Sequence, residues 1–192
     1  LKIIGITGGI GSGKSIICSI FEKMGFSVFY SDIVAKQILL TDIDVIQQLT
    51  NVIGPNLYIE GKINKELLAN KIFKEEQVKL KVNQIIHPKV REYFDSWVSI
   101  QDSRLVFNEA AILFETGLYK KYDVNVLVTA PESIRINRSV LRDNSSKEVV
   151  KYRVNSQWTD EQKMKFADFI IVNDNLTPVL PQLEQILSEI NI

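Results

Sequence analysis

Three consecutive residues near the start of the chain, Gly13, Lys14 and Ser15, have the types and the spacing for phosphate chemistry. They close the run Gly8-Gly9-Ile10-Gly11-Ser12-Gly13-Lys14-Ser15, which fills the pattern G-x-x-x-x-G-K-[ST]. Backbone N–H groups can close around a phosphate only where no Cβ intervenes, so such a loop has to be rich in glycine. Lys14 would reach the β- and γ-phosphates, and the Ser15 hydroxyl would ligate Mg²⁺. The bland alternative is a glycine-rich turn that a lysine happens to follow. The flanks argue against it: Lys2 to Thr7 is an apolar run of strand length, and Lys14 to Met24 carries apolar residues at helical spacing. That strand–loop–helix setting is what the pattern needs, and the helix start adds unpaired N–H groups and a positive dipole end. The chain reads as a binder of a nucleoside triphosphate.

Further candidates sit outside the loop. Asp32 follows a second short strand, Phe26–Tyr30, at the carboxyl end where ligands gather in open α/β sheets. A carboxylate there could accept a proton from an attacking hydroxyl or hold Mg²⁺ through water; equally, Ser31 or Asp32 could cap the next helix. Arg135, Arg138 and Arg142 fall at i, i+3 and i+7 on one helix face, with Arg153 further on. Such a face is often only solvated, but beside a phosphate loop it reads as a lid whose guanidinium forks meet phosphate oxygens. His87 is the only histidine and has no Cys, His or carboxylate at ligand spacing, so it reads as a structural or substrate-contacting imidazole. Asn108-Glu109 ends a third strand where a Walker-B pair would show Asp-Glu; Glu109 is left as a group near the metal.

Those residues need elements to hold them. Strands are expected at 2–7, 26–30, 104–108, 124–129 and 169–173, with helices between them, which specifies an α/β fold with a doubly wound five-stranded parallel sheet. Between the second and third strands, residues 33–100 are helical in period: Val34 to Leu40, Ile43 to Ile53, Lys65 to Phe73 and Glu75 to Val98, with turns at Gly54-Pro55 and Glu60-Gly61. An ordinary crossover needs far less, so the block reads as an insertion with its own task. Pro131 to Arg142 is one further helix, and another starts at Ser145-Ser146-Lys147-Glu148. One domain is expected, with core segments at 1–32, 101–137 and 166–192, the insertion at 33–100 and a lid at 138–165.

Composition sets the outer bounds. The 192 residues are 45% hydrophobic and 24% charged, ordinary for a globular chain. Lys+Arg and Asp+Glu both number 23, and this balance argues against a general binder of nucleic acid or membrane surfaces. One cysteine, Cys18, allows no intrachain disulfide and suggests a reducing compartment; its place on the first helix suggests packing rather than reactivity. No apolar stretch approaches the ~18 residues of a membrane-spanning helix, and the first strand starts too early for a signal peptide, so a cytoplasmic protein is expected.

Taken in order, the loop from Gly5 to Ser15, Asp32, Gly54-Pro55, Ile85-Ile86-His87-Pro88, Leu113-Phe114-Glu115, Arg138 with Leu141-Arg142-Asp143, Arg153 with Gln157, and Ala167-Asp168-Phe169-Ile170-Ile171-Val172-Asn173 resemble the dephospho-CoA kinase family over essentially the whole chain. The resemblance implies transfer of the γ-phosphoryl group of ATP to the ribose 3′-hydroxyl of dephospho-CoA, giving coenzyme A. It implies a P-loop kinase fold in which the helical insertion folds over the acceptor. It gives Asp32 the place of the catalytic base, with Lys14 and Arg142 also catalytic. ATP contacts are implied for Gly9, Gly11, Ser12, Gly13, Lys14, Ser15, Ile16, Arg138, Arg142 and Asn173. Acceptor contacts are implied for Asp32, His87 and Glu115, and Mg²⁺ ligation for Ser15. Arg135 is the arginine least tied to the pattern and is expected to tolerate substitution best. Ile16 stands where many relatives carry Thr, and Glu109-Ala110-Ala111 where many carry an apolar residue and proline. ATP and dephospho-CoA are the partners implied, with no nucleic acid, membrane or obligate protein partner. Two rivals are another P-loop small-molecule kinase, acting on a nucleoside or nucleotide, and a nucleotide-dependent switch whose insertion docks a protein.

Overall fold

The computed structural model describes residues 1–190; the last two positions of the expected core segment 166–192 lie outside the described residues. The chain divides into two compact units, one formed by residues 1–29 and the chain from 102 onward, the other by Tyr30–Gln101.

The first unit is built on a five-stranded parallel sheet of β1 (Lys2–Thr7), β2 (Ser27–Tyr30), β5 (Leu105–Glu109), β6 (Val124–Thr129) and β7 (Phe169–Val172), in the spatial order β2-β5-β1-β6-β7. The strand carrying the glycine loop is thus central, with Lys2 opposite Leu105 and Thr7 opposite Leu127. Central parallel strands are covered on both faces and must be apolar throughout. Ile4, Ile6, Val106, Phe107, Val126, Leu127 and Val128 are accordingly fully buried. Helix α1 (Lys14–Lys23) buries Ile17, Cys18 and Phe21. Phe21 stacks on Phe107 with ring centroids 4.0 Å apart, and Phe26 meets both rings edge-on. The helix ends in a Schellman motif: Gly25, at φ 93°, donates to the Glu22 carbonyl, and Phe26 N–H to that of Phe21. The ring contact between Phe21 and Phe26 is the apolar contact that accompanies such a stop.

Beyond β6 the chain forms α6 (Glu132–Asp143), α7 (Lys147–Asn155), the single-turn α8 (Asp160–Met164) and, after β7, α9 (Val179–Glu189). Asn144, left-handed at φ 46°, ends α6, and the Ser146 hydroxyl caps α7. A capping box starts α8: the Thr159 N–H donates to Gln162 Oε1, and the Gln162 N–H to Thr159 Oγ1. On α9, Gln182 both accepts from the N–H and donates to the carbonyl of Val172, satisfying backbone groups at the end of the edge strand β7.

The second unit comprises α2 (Ser31–Thr41), α3 (Ile43–Ile53), a 3₁₀ turn (Pro55–Leu57), the antiparallel pair β3 (Tyr58–Ile59) and β4 (Lys62–Ile63), α4 (Lys65–Lys74) and α5 (Glu76–Ser99). Ile38, Val45, Leu49, Ile53, Leu57 and Val82 form its apolar core. Asp42 and Asn64 cap α3 and α4 by accepting from Val45 and Leu67 N–H groups. The hairpin departs from the all-helical reading of 33–100. Glu60 and Gly61 both have positive φ, 50° and 74°, which is the geometry of a tight two-residue hairpin turn. Among the described residues no helix is long and apolar enough to cross a membrane.

Candidate active site

The glycine loop leaves β1 at Thr7 and enters α1 at Lys14. Gly13 has φ 94°, and a Cβ there would strike the Asn173 side-chain nitrogen, so backbone conformation and close approach both require glycine. The loop is held from two sides. Asn173 Nδ2 donates to the Ser12 carbonyl at 2.8 Å, and Arg138 Nη1 lies 3.5 Å and 3.4 Å from the Gly11 and Ser12 carbonyls. Arg138 also donates to Asn175 Oδ1. Arg138 and Asn173, expected at the nucleotide, therefore fasten the carbonyl side of the loop. The start of α1, with its positive dipole end, can then face an anion.

Lys14 crosses the mouth of the loop. Its Nζ donates to the Gly8 carbonyl at 2.9 Å and stands 3.9 Å from Glu109 Oε1, with both side chains largely buried. Glu109, at the carboxyl end of β5, thus neighbours the loop lysine, as its position in the sequence suggests. Ser15 and Ile16 are exposed at the start of α1. The Ile16 N–H, expected at the nucleotide, is spent on the Gly13 carbonyl at 3.0 Å. Burial pushes the Cys18 thiol up, with the charge of Glu109 adding to it, so the thiol stays protonated as a packing group.

The three arginines of α6 share a face but not an environment. Arg135 is buried, and its Nη1 pairs with Asp160 Oδ1 at 3.2 Å. Arg138 is half-buried on the loop carbonyls, as above. Arg142 is exposed and pairs in a fork with the adjacent Asp143, at 2.8 Å and 3.1 Å, and Arg153 shares the same carboxylate at 3.0 Å. The Arg142 hydrogen bonds hold the Asp143 carboxyl below its ordinary range and push the guanidinium up. The row that shares one face by spacing is thus one buried buttress, one loop fastener and one exposed group paired with Asp143.

Glu115, expected at the acceptor, has partners within the chain. Its Oε1 lies 3.2 Å from the fully buried Lys163 Nζ and accepts the Trp158 N–H at 3.3 Å, leaving a buried Oε2 without a hydrogen bond. Gln157 Oε1 accepts the Ile10 N–H of the glycine loop at 2.9 Å. The Gln157, Asp160 and Lys163 contacts went unread in the sequence because each joins residues at least 25 positions apart.

The remaining candidates belong to the second unit. Asp32 lies in the first turn of α2, exposed, and Tyr30 occupies the cap position with no side-chain cap. Tyr30, not Ser31 or Asp32, thus stands at the N-cap position for which those two competed. His87 lies within α5, one residue before Pro88, whose ring removes the N–H that Gln84 would have met. Burial, and then the Arg91 charge, lower the His87 pKa from its ordinary value, so the imidazole is neutral near pH 7.

Among the described residues no group of three or more His, Cys, Asp or Glu side chains could hold a metal ion. The donor set fits an ion that arrives with the nucleotide: one serine hydroxyl beside a phosphate loop suits Mg²⁺, which keeps most of its waters and takes phosphate oxygens.

Comparison with known proteins gives the family. The family model for dephospho-CoA kinase matches residues 2–178. The dephospho-CoA kinase of Bacteroides fragilis is 41% identical over 186 residues, covering 96% of this chain and 91% of that protein. A crystal structure from Thermus thermophilus superposes with a TM-score of 0.85 at 30% identity, covering 98% of this chain and 95% of that one. The dephospho-CoA kinase from Campylobacter jejuni gives 0.70 at 27% identity, covering 98% and 96%. With a phosphate loop braced by Arg138 and Asn173 and a family match along nearly its whole length, this chain belongs to the dephospho-CoA kinase family.

Proposed function

We propose that this chain transfers the γ-phosphoryl group of ATP to the ribose 3′-hydroxyl of dephospho-CoA, the last step in making coenzyme A. The observation that carries the reading is Lys14, set across the mouth of a glycine loop on a chain whose family match spans residues 2–178. When ATP enters, Lys14 exchanges the Gly8 carbonyl for phosphate oxygens, and the loop amides with the α1 dipole take the rest of the charge. The 3′-hydroxyl oxygen attacks the γ-phosphorus in line as the bond to the β–γ bridging oxygen breaks, ADP leaves, and the hydroxyl proton passes to Asp32. An exposed carboxylate with no capping duty suits that role. Mg²⁺ held by Ser15 would supply further charge neutralisation between the β- and γ-phosphates. Arg142 leaves Asp143 and closes on the phosphates, where its planar fork matches their oxygens. His87 contacts the acceptor as a neutral imidazole, and Glu115 serves it indirectly, by holding the 158–163 segment in place. The single buried cysteine is compatible with a reducing, cytoplasmic setting.

The test is an ADP-release assay with dephospho-CoA as sole acceptor, run beside a nucleoside panel. Dephospho-CoA is expected to turn over and the nucleosides to stay silent; the reverse would make the chain another small-molecule kinase. Asp32→Asn is expected to keep the melting temperature and ATP affinity while losing most of the turnover. The loss stops short of total because phosphoryl transfer relies chiefly on positioning and electrostatics. Normal turnover would remove Asp32 as the base, and a selective loss of ATP–Mg²⁺ affinity would move it to the metal.

A further inference from the structure

The geometry points to the buried Arg135–Asp160 pair as a positioning device for the phosphate-binding loop, through which the segment that anchors the lid sets the loop's shape. The inference rests on the nucleotide-binding part of the function proposed above. Arg135 touches the loop twice. A Cβ added at Gly9 would strike its guanidinium, and one added at Gly11 would strike its backbone carbonyl, with the Ser139 hydroxyl 2.7 Å away. The loop therefore lies directly on this one residue. Arg135 is 7% exposed, and its charge is met by Asp160 Oδ1 at 3.2 Å. The other Asp160 oxygen accepts from the Thr129 hydroxyl at the end of β6. A guanidinium with one partner on α8 and one face against Gly9 transmits the position of α8 to the loop.

Two contacts on the same short segment act in the same sense. Gln157 accepts the Ile10 N–H from the loop at 2.9 Å, and Lys163, fully buried, pairs with Glu115 at 3.2 Å. Residues 157–163 are thus fixed to the loop, to the end of β6 and to the segment after β5. This stretch follows α7 directly, and α7 carries Arg153, which shares the Asp143 carboxylate with Arg142. The chain that follows α7 is thus bolted to the loop. Arg135 and Asp160 are positioning residues: they act on phosphate through Gly9 to Gly11.

The experiment separates positioning from simple stabilisation. Arg135→Met with Asp160→Asn removes both charges and keeps an acceptor for Thr129. Neutralising a buried pair on both sides typically leaves folding nearly intact, so the full-length double variant is expected to melt close to the wild type. Its turnover with ATP and dephospho-CoA is expected to fall about ten-fold or more, with KM raised for ATP and unchanged for the acceptor. Turnover that returns together with stability would overturn the proposal, because a merely structural pair is replaceable. Asp160→Asn alone supplies a second readout, hydrogen–deuterium exchange of the nucleotide-free, folded chain. Amides from Gly9 to Ser12 are expected to exchange about ten-fold faster while those of β1 keep their protection; unchanged exchange in the loop would overturn the proposal. That measurement needs no acceptor. A wild-type protein that ignores dephospho-CoA would refute the function proposed above and leave the exchange result to be judged alone.

Discussion

Arg135 and Arg142 lie two turns apart on one face of α6, and the two ends of that helix make opposite use of the same side chain. At the base, Arg135 has a side chain 9% exposed and is locked between Asp160 and Gly9. At the tip, Arg142 has a side chain 61% exposed and holds only the neighbouring Asp143, which Arg153 also holds. Helical spacing determines which residues share a face; it does not determine how deep each end is covered. Depth decides the physics. A buried guanidinium that loses its partner leaves an uncompensated charge, whereas an exposed ion pair is worth at most about 1 kcal/mol. One end is locked in the interior and the other lies open to solvent.

The comparison can be pressed from its strongest consequence to its weakest. Lys14→Ala removes the charge at the loop that the base of α6 supports, and turnover should fall about 10³-fold or more, with a native circular dichroism spectrum. Near-wild-type turnover would take Lys14 out of the site. Arg135→Ala should cost about 3 kcal/mol of stability by orphaning Asp160, visible as a lowered melting temperature. An unchanged melting temperature would mean that the pair does not stabilise the fold. Arg142→Ala should leave stability within about 0.5 kcal/mol and lower kcat about 10- to 100-fold, more than it weakens ground-state ATP binding. Equal losses of stability from the two arginine variants would erase the distinction between base and tip.

The smallest effect belongs to the ion pair at the tip. Asp143→Asn frees Arg142 and Arg153, and titration with a non-hydrolysable ATP analogue should show affinity raised by no more than about five-fold, the worth of an exposed pair. The pH dependence has a definite sign. Because the folded Asp143 pKa is lowered, the contribution of the pair is complete above its ordinary value of 3.8 and is lost as pH falls through the lowered one. Acid, not base, should therefore imitate Asp143→Asn. A large gain in affinity, or a loss, would mean that the tip is more than a releasable contact.

Sequence and structure agree where physics is local. The glycine loop is legible because its spacing carries its chemistry, and the strand 124–129 and the helix 43–53 have the expected bounds because their periods are clean. The hairpin at Tyr58–Ile63 is not, although its Glu60-Gly61 turn reads correctly: two-residue strands are too short to show alternation. Thr159-Asp160-Glu161-Gln162 has the spacing of a capping box, a signal that could have revealed α8. No such signal exists for the partners of Arg135 and Glu115. Asp160 and Lys163 lie 25 and 48 positions further along, and a charge reads from sequence as solvated until the fold buries it. The expected roles of Arg138 and Asn173 illustrate the same limit: sequence brings them to the nucleotide loop, and only the fold shows that they hold its carbonyl side.

The strand order has a consequence for how the chain is made. β1 is made before the other strands described above, yet its neighbours are β5 and β6, with Lys2 opposite Leu105 and Thr7 opposite Leu127. At about 5–20 residues per second, the loop-bearing strand waits roughly 5–20 s before β5 exists to pair with it. The apolar cluster of the inserted unit, by contrast, is built from residues within 34–90 and can close during that wait. During synthesis the insertion can therefore close before its host's sheet does, and the apolar segment Ile3-Ile4-Gly5-Ile6 stays without its strand partners until then.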